Sequence, residues 1–311
     1  MRVTVVICTW NRASSLARTL EAFSNLVIPA DTTWELLVVN NNSTDHTDQI
    51  VAEHAQRLPI RRLFEPRPGK SHAANMAVTE ASGDLLLWTD DDVLVDRQWL
   101  AEYVSAAETW PSASYFGGTV DPFFDGPVPR WIRRHVDLLY EPYALAQHRV
   151  ATCPVQSENI VGANMALRAD VAKKNPFDIR LGPAGHRAFV TGEETDLVGR
   201  LRGSGALGVW VGTARVRHVI GSDRLSAPYL WHWYGGLGAY LVEQDSAIPA
   251  ARLLGAPRWA VRQYAGLYLK YVCLWPLKTE AWVRTLRQAA LMRGYIRAAR
   301  DRSAAGVKAT A

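Results

Sequence analysis

Leu85-Leu86-Leu87-Trp88-Thr89-Asp90-Asp91-Asp92 is an apolar run that ends in three consecutive carboxylates. A short apolar run that follows turn residues, here Gly83-Asp84, is typical of a buried strand. In open α/β sheets ligands bind at the carboxyl ends of the strands, so we expect the aspartates at a binding edge. Their oxygens suit Mg²⁺ or Mn²⁺, ions that commonly carry a substrate diphosphate. The alternative interpretation is a solvated acidic turn before the next helix.

Strand-like and helix-like runs alternate on both sides of this stretch. The predicted strands are 2–8, 34–39, 60–64 and 85–89, and the predicted helices are 14–26, 44–56, 71–81 and 99–109. Ser43 is the predicted N-cap of the second helix. This alternation indicates βαβ units, and therefore an α/β fold with a mainly parallel central sheet and helices on both faces.

The pattern becomes less regular after residue 120. The segment 121–129 is rich in Pro and Gly and predicts a loop that opens into a short helix at Trp131. Further strands are predicted at 161–168, 207–211 and 215–219, and further helices at 195–201, 225–244, 258–275 and 279–300. The last two helices are basic and aromatic and form a C-terminal extension.

Composition and targeting signals narrow the class of protein. The hydrophobic fraction is 48%, which is ordinary for a globular protein. The sequence has no uncharged apolar run of about 18 residues, so no transmembrane helix is predicted. The N-terminus lacks a signal-peptide pattern, which predicts a cytoplasmic protein. The three cysteines are widely separated and predict reduced thiols rather than a disulfide or zinc framework.

Positive charge is concentrated at the C-terminal end. Residues 251–311 contain twelve Lys and Arg and two acids, a net charge of +10, whereas the whole chain carries +5. Residues 1–250 therefore carry about −5. This asymmetry predicts an anionic partner, and an aromatic, basic helix favours a membrane surface. Nucleic acid is not expected, because no binding motif accompanies the charge. The alternative is a helical cap packed on the rest of the protein.

Polar clusters follow the first four predicted strands. They are Thr9-Trp10-Asn11-Arg12, Asn40-Asn41-Asn42-Ser43-Thr44-Asp45, Glu65-Pro66-Arg67-Pro68-Gly69-Lys70 and the three aspartates. A parallel sheet brings these ends to one edge and predicts a mononucleotide pocket, with Arg67 and Lys70 as candidates to face phosphates. Each cluster alone is also typical of an ordinary turn.

Taken in order, these segments resemble the family-two glycosyltransferases of the GT-A fold. The resemblance also includes Gly69 to Asn75, Gly162-Ala163-Asn164-Met165-Ala166, Gly192-Glu193-Glu194-Thr195-Asp196-Leu197 and His218, and it covers roughly residues 2–219. It implies the nucleotide-diphospho-sugar transferase fold over 1–220, with a nucleotide-binding half at about 1–120 and an acceptor-binding half at 121–220. Residues 221–311 would form the basic helical extension.

The resemblance implies a nucleotide-diphosphate sugar donor, with a UDP-sugar favoured, and a divalent cation, Mn²⁺ or Mg²⁺. The implied metal ligands are Asp92, Asp90 and His218. The implied donor-binding residues are Thr9, Asn11, Arg12, Asn41, Arg67, Lys70, Asn75, Asp90, Asp91, Gly162, Ala163 and Asn164. Asn40 departs from the Asp that is more usual in the family.

The acid pair Glu193-Glu194 matches the position where the family carries Glu-Asp. The second acid is the catalytic base in that pattern, so the resemblance implies Glu194 as base, with Glu193 beside it and Asp196 as an alternative. The implied reaction is one displacement at the anomeric carbon, which inverts its configuration. The alternative interpretation is an ordinary acidic first turn of a helix.

The acceptor implied by the resemblance is a glycan or a lipid-linked sugar, in the synthesis of a cell-surface polysaccharide or a glycolipid. Trp131 and Tyr140 are the candidate acceptor-binding aromatics, and core packing is the alternative role for both. A lipid-linked acceptor is consistent with peripheral attachment at the inner face of the cell membrane.

Two other functions remain open from the sequence. One is a nucleotidyltransferase that forms a sugar nucleotide, although the Gly-rich loop expected after its first strand is missing from 9–15. The other is a non-catalytic, membrane-associated nucleotide-sugar binder, which the changes at Asn40 and Glu194 allow.

Overall fold

The computed structural model describes residues 1–156, 158–183, 192–244, 252–253 and 255–308. The strands are β1 Arg2–Thr9, β2 Thr33–Asn40, β3 Ile60–Phe64, β4 Leu85–Asp90, β5 Val93–Val95, β6 Tyr115–Asp125, β7 Cys153–Pro154, β8 Met165–Arg168, β9 Gly208–Gly221, β10 Arg252–Leu253 and β11 Ala256–Pro257. The helices are α1 Ala13–Phe23, α2 Thr47–His54, α3 Lys70–Glu80, α4 Trp99–Thr109, α5 Arg130–Arg134, α6 Ala169–Lys174, α7 Glu193–Gly203, α8 Ala227–Gln244, α9 Arg258–Leu274 and α10 Glu280–Lys308.

Within the described residues, nine strands form one sheet in the order β3-β2-β1-β4-β8-β6-β9-β5, with β7 beside β9. The first four are parallel, whereas β8 pairs antiparallel with β4 and β6, and β9 pairs antiparallel with β5 and β7. The predicted α/β fold with a mainly parallel central sheet and helices on both faces is confirmed. The strands that follow the aspartates in the chain extend the sheet with antiparallel pairs.

Alternate side chains of the buried strands enter two different cores. Leu85 and Leu87 of β4 lie in one core with the apolar faces of α1, α2 and α4, whereas Leu86 and Trp88 lie in the other with those of α3, α6 and α7. A strand that is buried on both faces needs a continuous apolar run, which is why β4 shows no polar alternation.

Three local predictions differ from the structure. β6 continues to Asp125, through the segment predicted as a loop. Pro122 is tolerated in that strand because β8 pairs only with Tyr115–Gly117, so the strand beyond Gly117 has no partner in β8. A single strand, β9, replaces the two predicted at 207–211 and 215–219. Residues Gly162–Asn164, predicted as part of a strand, form a 3₁₀ turn that leads into β8.

Ser43 is not the N-cap of α2. The helix starts at Thr47, and the side chain of Asp45 accepts hydrogen bonds from the Thr47 backbone (3.1 Å) and hydroxyl (2.5 Å). Ser43 instead accepts a hydrogen bond at its hydroxyl from the backbone N–H of Asn11. The N-cap residue is His46, three residues later than predicted, and Ser43 links two strand ends.

The chain clusters into two compact units. Unit one comprises Met1–Phe123 and Tyr143–Val219, and unit two comprises Phe124–Pro142 and Ile220–Ala311. The segment Phe124–Pro142, which the sequence division assigns to 1–220, thus belongs with the C-terminal helices.

In unit two, α10 packs closely on α8 through glycines. A Cβ on Gly294 would lie 2.6 Å from the carbonyl carbon of Gly235. The helix α9 packs beside them through aromatic rings, as in the stacked pair Tyr271 and Trp282, whose centroids are 5.7 Å apart. In the described part of the chain, none of the helices has the length and apolarity needed to cross a bilayer.

Candidate active site

The register of the parallel strands brings their polar ends to one edge of the sheet. Thr9 pairs with Asn40 across β1 and β2, and Asn40 pairs with Phe64 across β2 and β3. On the other side of β1, Cys8 pairs with Asp90, the last residue of β4. The polar clusters predicted from the sequence therefore meet at the edge where open α/β sheets bind ligands.

Asp91 and Asp92 follow β4 and are almost fully buried. The hydroxyl of Thr9 donates to Asp91 (2.8 Å), and one Arg12 nitrogen donates to Asp91 (3.0 Å) and to Asp92 (2.8 Å). Burial raises the pKa of Asp91 to about 6; the Arg12 charge opposes this rise, and the charge of Asp92 adds to it. Arg12 thus compensates two buried carboxylates that would otherwise repel each other.

His218 of β9 extends the polar network of Asp92. Its Nδ1 lies 2.6 Å from the backbone carbonyl of Tyr143, and its Nε2 lies 3.2 Å from Asp92 Oδ1. Because a carbonyl only accepts hydrogen bonds, Nδ1 carries a proton. A hydrogen bond from one ring nitrogen to a backbone carbonyl is typical of histidines that bind a metal through the other ring nitrogen.

The donor set of Asp92 and His218 fits a divalent cation in part. One carboxylate oxygen and one imidazole nitrogen suit Mn²⁺. Within the described residues, no group of three acidic, His or Cys side chains has the arrangement of a metal site. A cation here would need further ligands from a bound diphosphate and water, as is common for hard divalent cations.

Lys70 joins the last residue of β4 to the acids of α7. Its Nζ lies 2.9 Å from Asp90 Oδ1, 2.8 Å from Glu194 Oε1 and 3.5 Å from Glu193 Oε1. Burial lowers the pKa of Lys70, but the three carboxylates together raise it well above its ordinary value. Lys70 is therefore a fixed positive charge at the centre of the site.

The two acids at the start of α7 have opposite pKa shifts. Burial and the charge of Glu194 raise the pKa of Glu193 to about 8, although Lys70 opposes the rise. Burial also raises the pKa of Glu194, but the charge and hydrogen bond of Lys70 lower it further, to a net value below the usual range. Glu193 is therefore largely protonated at neutral pH, whereas Glu194 is ionised. An ionised carboxylate beside an ammonium group can accept a proton from a bound hydroxyl.

Gly162 provides the space that the Glu194 carboxylate occupies. A Cβ at this position would lie 2.7 Å from both Cγ and Cδ of Glu194, closer than real Cβ contacts. The start of α7 also needs glycine: Gly192, its N-cap, has φ +110°. Two glycines therefore set the position of Glu194.

Lys70, Glu193 and Glu194 are among the residues that line a small pocket in unit one. Its lining residues are Cys8, Lys70, Ala74, Trp88, Thr89, Asp90, Gly162, Phe177, Glu193 and Glu194. The sequence pattern identified the charged residues of this set, but it did not single out Cys8, Ala74, Trp88 or Phe177. Cys8 and Trp88 come just before the polar ends of β1 and β4. This position in the sequence is the one feature that could have predicted that they line the pocket.

Asn41 and Arg67 organise the loop that follows β3. The Asn41 amide donates to the carbonyls of Glu65 (3.0 Å) and Arg67 (2.7 Å), and its oxygen accepts from the Gly69 backbone (2.8 Å). Arg67 pairs with the buried carboxylate of Glu65 at 2.7 Å. Both side chains thus hold the segment that leads into Lys70, and their predicted donor contacts remain a prediction.

Asn164 is not among the residues that line the pocket, and its predicted donor role remains a prediction. Its side chain is fully buried, and its oxygen accepts from the Trp99 ring nitrogen (2.7 Å) and the Tyr103 hydroxyl (2.8 Å). Its amide nitrogen donates to the carbonyls of Thr119 (2.9 Å) and Ala214 (2.8 Å). Because all of these groups are already used, Asn164 supports the core behind the site.

Two neighbouring candidates have backbone partners. Asn75 donates to the Phe177 carbonyl (2.9 Å) and accepts from its backbone N–H (2.8 Å). The Ala163 carbonyl accepts from the Thr89 hydroxyl (2.9 Å), and the Ala163 side chain is buried. These bonds fix the pocket wall, since Phe177 and Thr89 are among its lining residues.

Asn11 and Asp196 lie at the margins of the predicted set. Asn11 has φ +53° and accepts from the Thr44 backbone (2.7 Å), so it ties the end of β1 to that of β2. Asp196 pairs with Arg200, one helical turn later, at 2.8 Å and is not among the pocket residues. Asp196 is therefore less well placed than Glu194 to act as base.

The two candidate acceptor-binding aromatics, Trp131 and Tyr140, are in unit two. Trp131 packs edge-on against Trp282, with ring centroids 5.0 Å apart. Tyr140 is partly exposed and has the Arg287 guanidinium 5.8 Å from its ring centre. Each ring has a packing partner within this unit, and acceptor binding remains a prediction for both.

Comparison with known proteins identifies relatives of this chain. The sequence model of glycosyl transferase family 2 matches residues 4–175. The succinoglycan biosynthesis protein ExoM of Rhizobium meliloti (strain 1021) is 24% identical over 238 residues, which cover 74% of this chain and 71% of ExoM. Other curated relatives match over shorter lengths, down to 18% of the relative.

Solved structures share the fold at low sequence identity. The mannosyltransferase PcManGT of Pyrobaculum calidifontis, solved with GDP-Man and Mn²⁺, has a TM-score of 0.59 at 19% identity and covers 96% of this chain and 87% of its own. Residues 1–349 of TarS from S. aureus, solved with UDP, have a TM-score of 0.53 at 15% identity and cover 96% of this chain and 91% of their own. The predicted GT-A fold is thereby confirmed.

Proposed function

The chain belongs to glycosyl transferase family 2, and from this premise we propose that its pocket transfers a sugar from a nucleotide-diphosphate donor to an acceptor hydroxyl. One observation carries the proposal. Glu194 is held ionised 2.8 Å from Lys70, in a pocket at the carboxyl ends of parallel strands. A base in this position is what removal of a hydroxyl proton requires.

In the proposed reaction the acceptor oxygen attacks the anomeric carbon from the face opposite the diphosphate. The new bond forms as the bond to the diphosphate oxygen breaks, and the diphosphate leaves with the electron pair. The acceptor proton passes to Glu194. A single displacement of this kind inverts the anomeric configuration. Glu193 is the less suitable base, because its burial and the charge of Glu194 raise its pKa.

Asp92 and His218, with Asp90 nearby in the chain, are the residues that would hold Mn²⁺ or Mg²⁺. When bound, the cation would neutralise charge that develops on the departing diphosphate. PcManGT, which shares the fold, was solved with Mn²⁺, and this supports a metal at the equivalent edge. Independently of any metal, Arg12 and Lys70 place two protein cations at this edge.

The proposed donor is a nucleotide sugar, with a UDP-sugar favoured. TarS has been solved with UDP and with UDP-GlcNAc, and PcManGT with GDP-Man, which supports this donor class. Thr9 and Arg12 lie at the predicted donor edge. Trp10, between them, exposes about half of its surface (48%) and offers a ring face for stacking of the base.

The proposed acceptor is a glycan or a lipid-linked sugar in cell-surface polysaccharide or glycolipid synthesis. The name of ExoM, succinoglycan biosynthesis protein, supports a role of this kind. We propose residues 1–220 as the catalytic domain, apart from the segment that clusters with unit two, and 221–311 as the extension. The basic extension supports a peripheral location at an anionic membrane, on its cytoplasmic face.

Thermal unfolding with nucleoside diphosphates tests the donor site. UDP, GDP, dTDP, ADP and CDP would each be added with and without Mn²⁺, because a ligand that binds the folded state raises its apparent stability. We expect a Mn²⁺-dependent rise with one nucleotide, which is lost in Asp92→Asn and kept in Asp84→Asn, an exposed aspartate paired with Arg2. Equal responses of the two variants would contradict the proposed metal site.

A further inference from the structure

Exposed apolar side chains are concentrated on one helix of unit two. In the described part of the chain thirteen large apolar side chains are exposed, and six of them lie between Trp259 and Leu277. Five form what we call the outer patch, at the C-terminal half of α9 and the turn after it. The outer patch comprises Tyr268, Leu269, Val272, Trp275 and Leu277, which are 43% to 66% exposed.

Two members of the outer patch, Leu269 and Val272, lie on the side of α9 away from the residues that hold the helix in place. Ala260 is fully buried in a core that also contains the partly buried Tyr264 and Leu267. These three residues recur at helical spacing and define an inner face. Leu269 follows Ala260 by nine residues, which at about 100° per residue places it roughly opposite. Burial of the inner face therefore leaves Leu269 and Val272 exposed. The aromatic members of the outer patch lie at its margin: Tyr268 packs edge-on against Trp231, and Trp275 against Trp282.

The same segment carries positive charge and no acid. Residues 258–278 contain Arg258, Arg262, Lys270 and Lys278, and neither Asp nor Glu. The first three are exposed. The Lys278 ammonium lies 3.1 Å from the ring centre of Trp275, so an outer-patch ring is in direct contact with a cation. The surface therefore combines exposed apolar groups with uncompensated basic charge.

We propose that this face of α9 lies on an anionic membrane, with the outer patch among the lipid headgroups and Arg258, Arg262 and Lys270 against lipid phosphates. The inference deepens the peripheral location proposed above and does not depend on the transfer reaction. Tyr and Trp favour the membrane–water interface, and basic residues beside them add attraction to anionic lipid. Since none of the described helices is suited to crossing a bilayer, the helix is expected to lie in the interface plane.

A second copy of the chain is a poorer occupant of this face. In a two-fold contact both copies use the same surface. The basic residues of one copy, Arg258, Arg262 and Lys270, would therefore share the contact with those of the other. No acid in 258–278 would compensate them. Charge complementarity therefore favours an anionic lipid surface.

Flotation of the full chain with vesicles tests the apolar part of the proposal. Vesicles of phosphatidylcholine alone and of phosphatidylcholine with phosphatidylglycerol would be compared, with wild type and the double variant Leu269→Ser/Val272→Ser. We expect selective binding to the anionic vesicles and roughly tenfold weaker binding by the variant. The matched control is Val150→Ser/Ile179→Ser in unit one, at residues that are 69% and 60% exposed, and it should bind like wild type.

The charge part has its own pair of variants. Arg258→Gln/Arg262→Gln should weaken binding to anionic vesicles by roughly fivefold for each charge removed. Lys173→Gln/Lys174→Gln removes two exposed charges from α6 in unit one and should have little effect. Circular dichroism of all variants would show that each is folded.

Three results would overturn the proposal. In the first, wild type binds anionic and neutral vesicles equally well. In the second, the Leu269/Val272 variant binds anionic vesicles as well as wild type does. In the third, wild type sediments as a dimer that this variant converts to a monomer. Donor hydrolysis in the absence of lipid separates this inference from the proposed function, since the outer-patch variant should hydrolyse donor like wild type. Loss of hydrolysis with unchanged vesicle binding would contradict the inference and assign the face to catalysis.

Discussion

At the scale of single residues, the position of Glu194 depends on a neighbour without a side chain. Gly162→Ala would bring a methyl group to 2.7 Å from Cγ and Cδ of Glu194. Because the carboxylate is the end of a flexible side chain, it moves and the fold survives. We expect kcat to fall by roughly tenfold to a hundredfold, as for a misplaced catalytic group, with little change in Tm.

Gly199→Ala is the matched control for this substitution. Gly199 lies in the same helix as Glu194, and a Cβ there would meet nothing within 4 Å. Replacement of an interior helical glycine should raise stability by about 0.5–1 kcal/mol and leave kcat unchanged. Equal kcat values for the two glycine variants, measured side by side, would show that Gly162 does not position Glu194.

Asn164 gives the opposite expectation, a loss of stability. Asn164→Ala would leave the Trp99 ring nitrogen and two backbone carbonyls without their partner in the core. The Tyr103 hydroxyl would keep only the backbone carbonyl of residue 164 as acceptor (3.1 Å). Unpaired buried groups cost about 1–3 kcal/mol each, so a clear fall in Tm is expected. The nucleotide Kd of the folded fraction should change little. A large rise in Kd at unchanged Tm would restore the predicted donor contact.

The contrast between Glu194 and Asn164 shows what the sequence predicts at this scale. The acid pair was identified by its place in an ordered set of motifs, and the structure adds the reason for its ionisation, the approach of Lys70 across 124 positions of the chain. Asn164 belongs to the same ordered set, but its partners come from three distant segments. A one-dimensional pattern cannot distinguish an amide that faces a ligand from one that is used up in the core.

At the scale of elements, the loop after β3 depends on one buried carboxylate. The hydrogen bond from Arg67 lowers the pKa of Glu65 from 4.5 to about 2, against the effect of burial. A pKa that is lower in the folded state gives stability that is present above pH 4.5 and lost as the pH falls toward 2. Glu65→Gln should therefore reduce the free energy of unfolding at pH 7, by about 1–3 kcal/mol.

Urea unfolding at pH 7 and pH 3 measures this effect. The difference between wild type and Glu65→Gln should be smaller at pH 3, and Glu108→Gln, an exposed acid at the end of α4, should show little difference at either pH. A Glu65 difference that is the same at both pH values would mean that the Arg67 bond does not stabilise the loop.

The crossing of α8 and α10 offers a second test at this scale. Gly294→Ala would place a Cβ 2.6 Å from the carbonyl carbon of Gly235, and backbone atoms cannot rotate away. Forced separation of the helices should cost about 1–3 kcal/mol and lower the Tm of unit two. Gly266→Ala in α9, where a Cβ would meet nothing within 4 Å, should raise the Tm slightly. A tolerated Gly294 variant would contradict close packing at this crossing.

Predictions of elements succeeded where local pattern and burial agree. β1, β2 and β4 are largely apolar because both of their faces are buried, whereas β3 is an edge strand that is only partly buried. The polar ends of all four strands could be identified directly from the sequence. β6 was not predicted, and its last residues fall in the segment 121–129 that was predicted as a loop because Pro and Gly normally end a strand. β8 pairs with only three residues of β6. The rest of β6 therefore depends on contacts with other, distant parts of the chain, which a short stretch of sequence does not reveal.

At the scale of the whole molecule, charge and fold divide the chain differently. The excess positive charge lies after residue 250, and the predicted extension covers 221–311, whereas the second compact unit also includes Phe124–Pro142. Composition alone predicted an anionic partner for this part. The side of α9 that is free to meet such a partner became visible only once the buried side was known.

The proposed activity rests on Glu194 as the base, and donor turnover with matched acid variants tests it most directly. Nucleotide released from the selected donor, with Mn²⁺ present, would be measured for wild type, Glu194→Gln and Asp196→Asn, which changes an acid of the same helix that pairs with Arg200. We expect kcat to fall by about 10²–10⁴-fold in Glu194→Gln and to stay near wild type in Asp196→Asn. Turnover that survives in Glu194→Gln, or that is lost in Asp196→Asn instead, would contradict the assignment of Glu194 as the base.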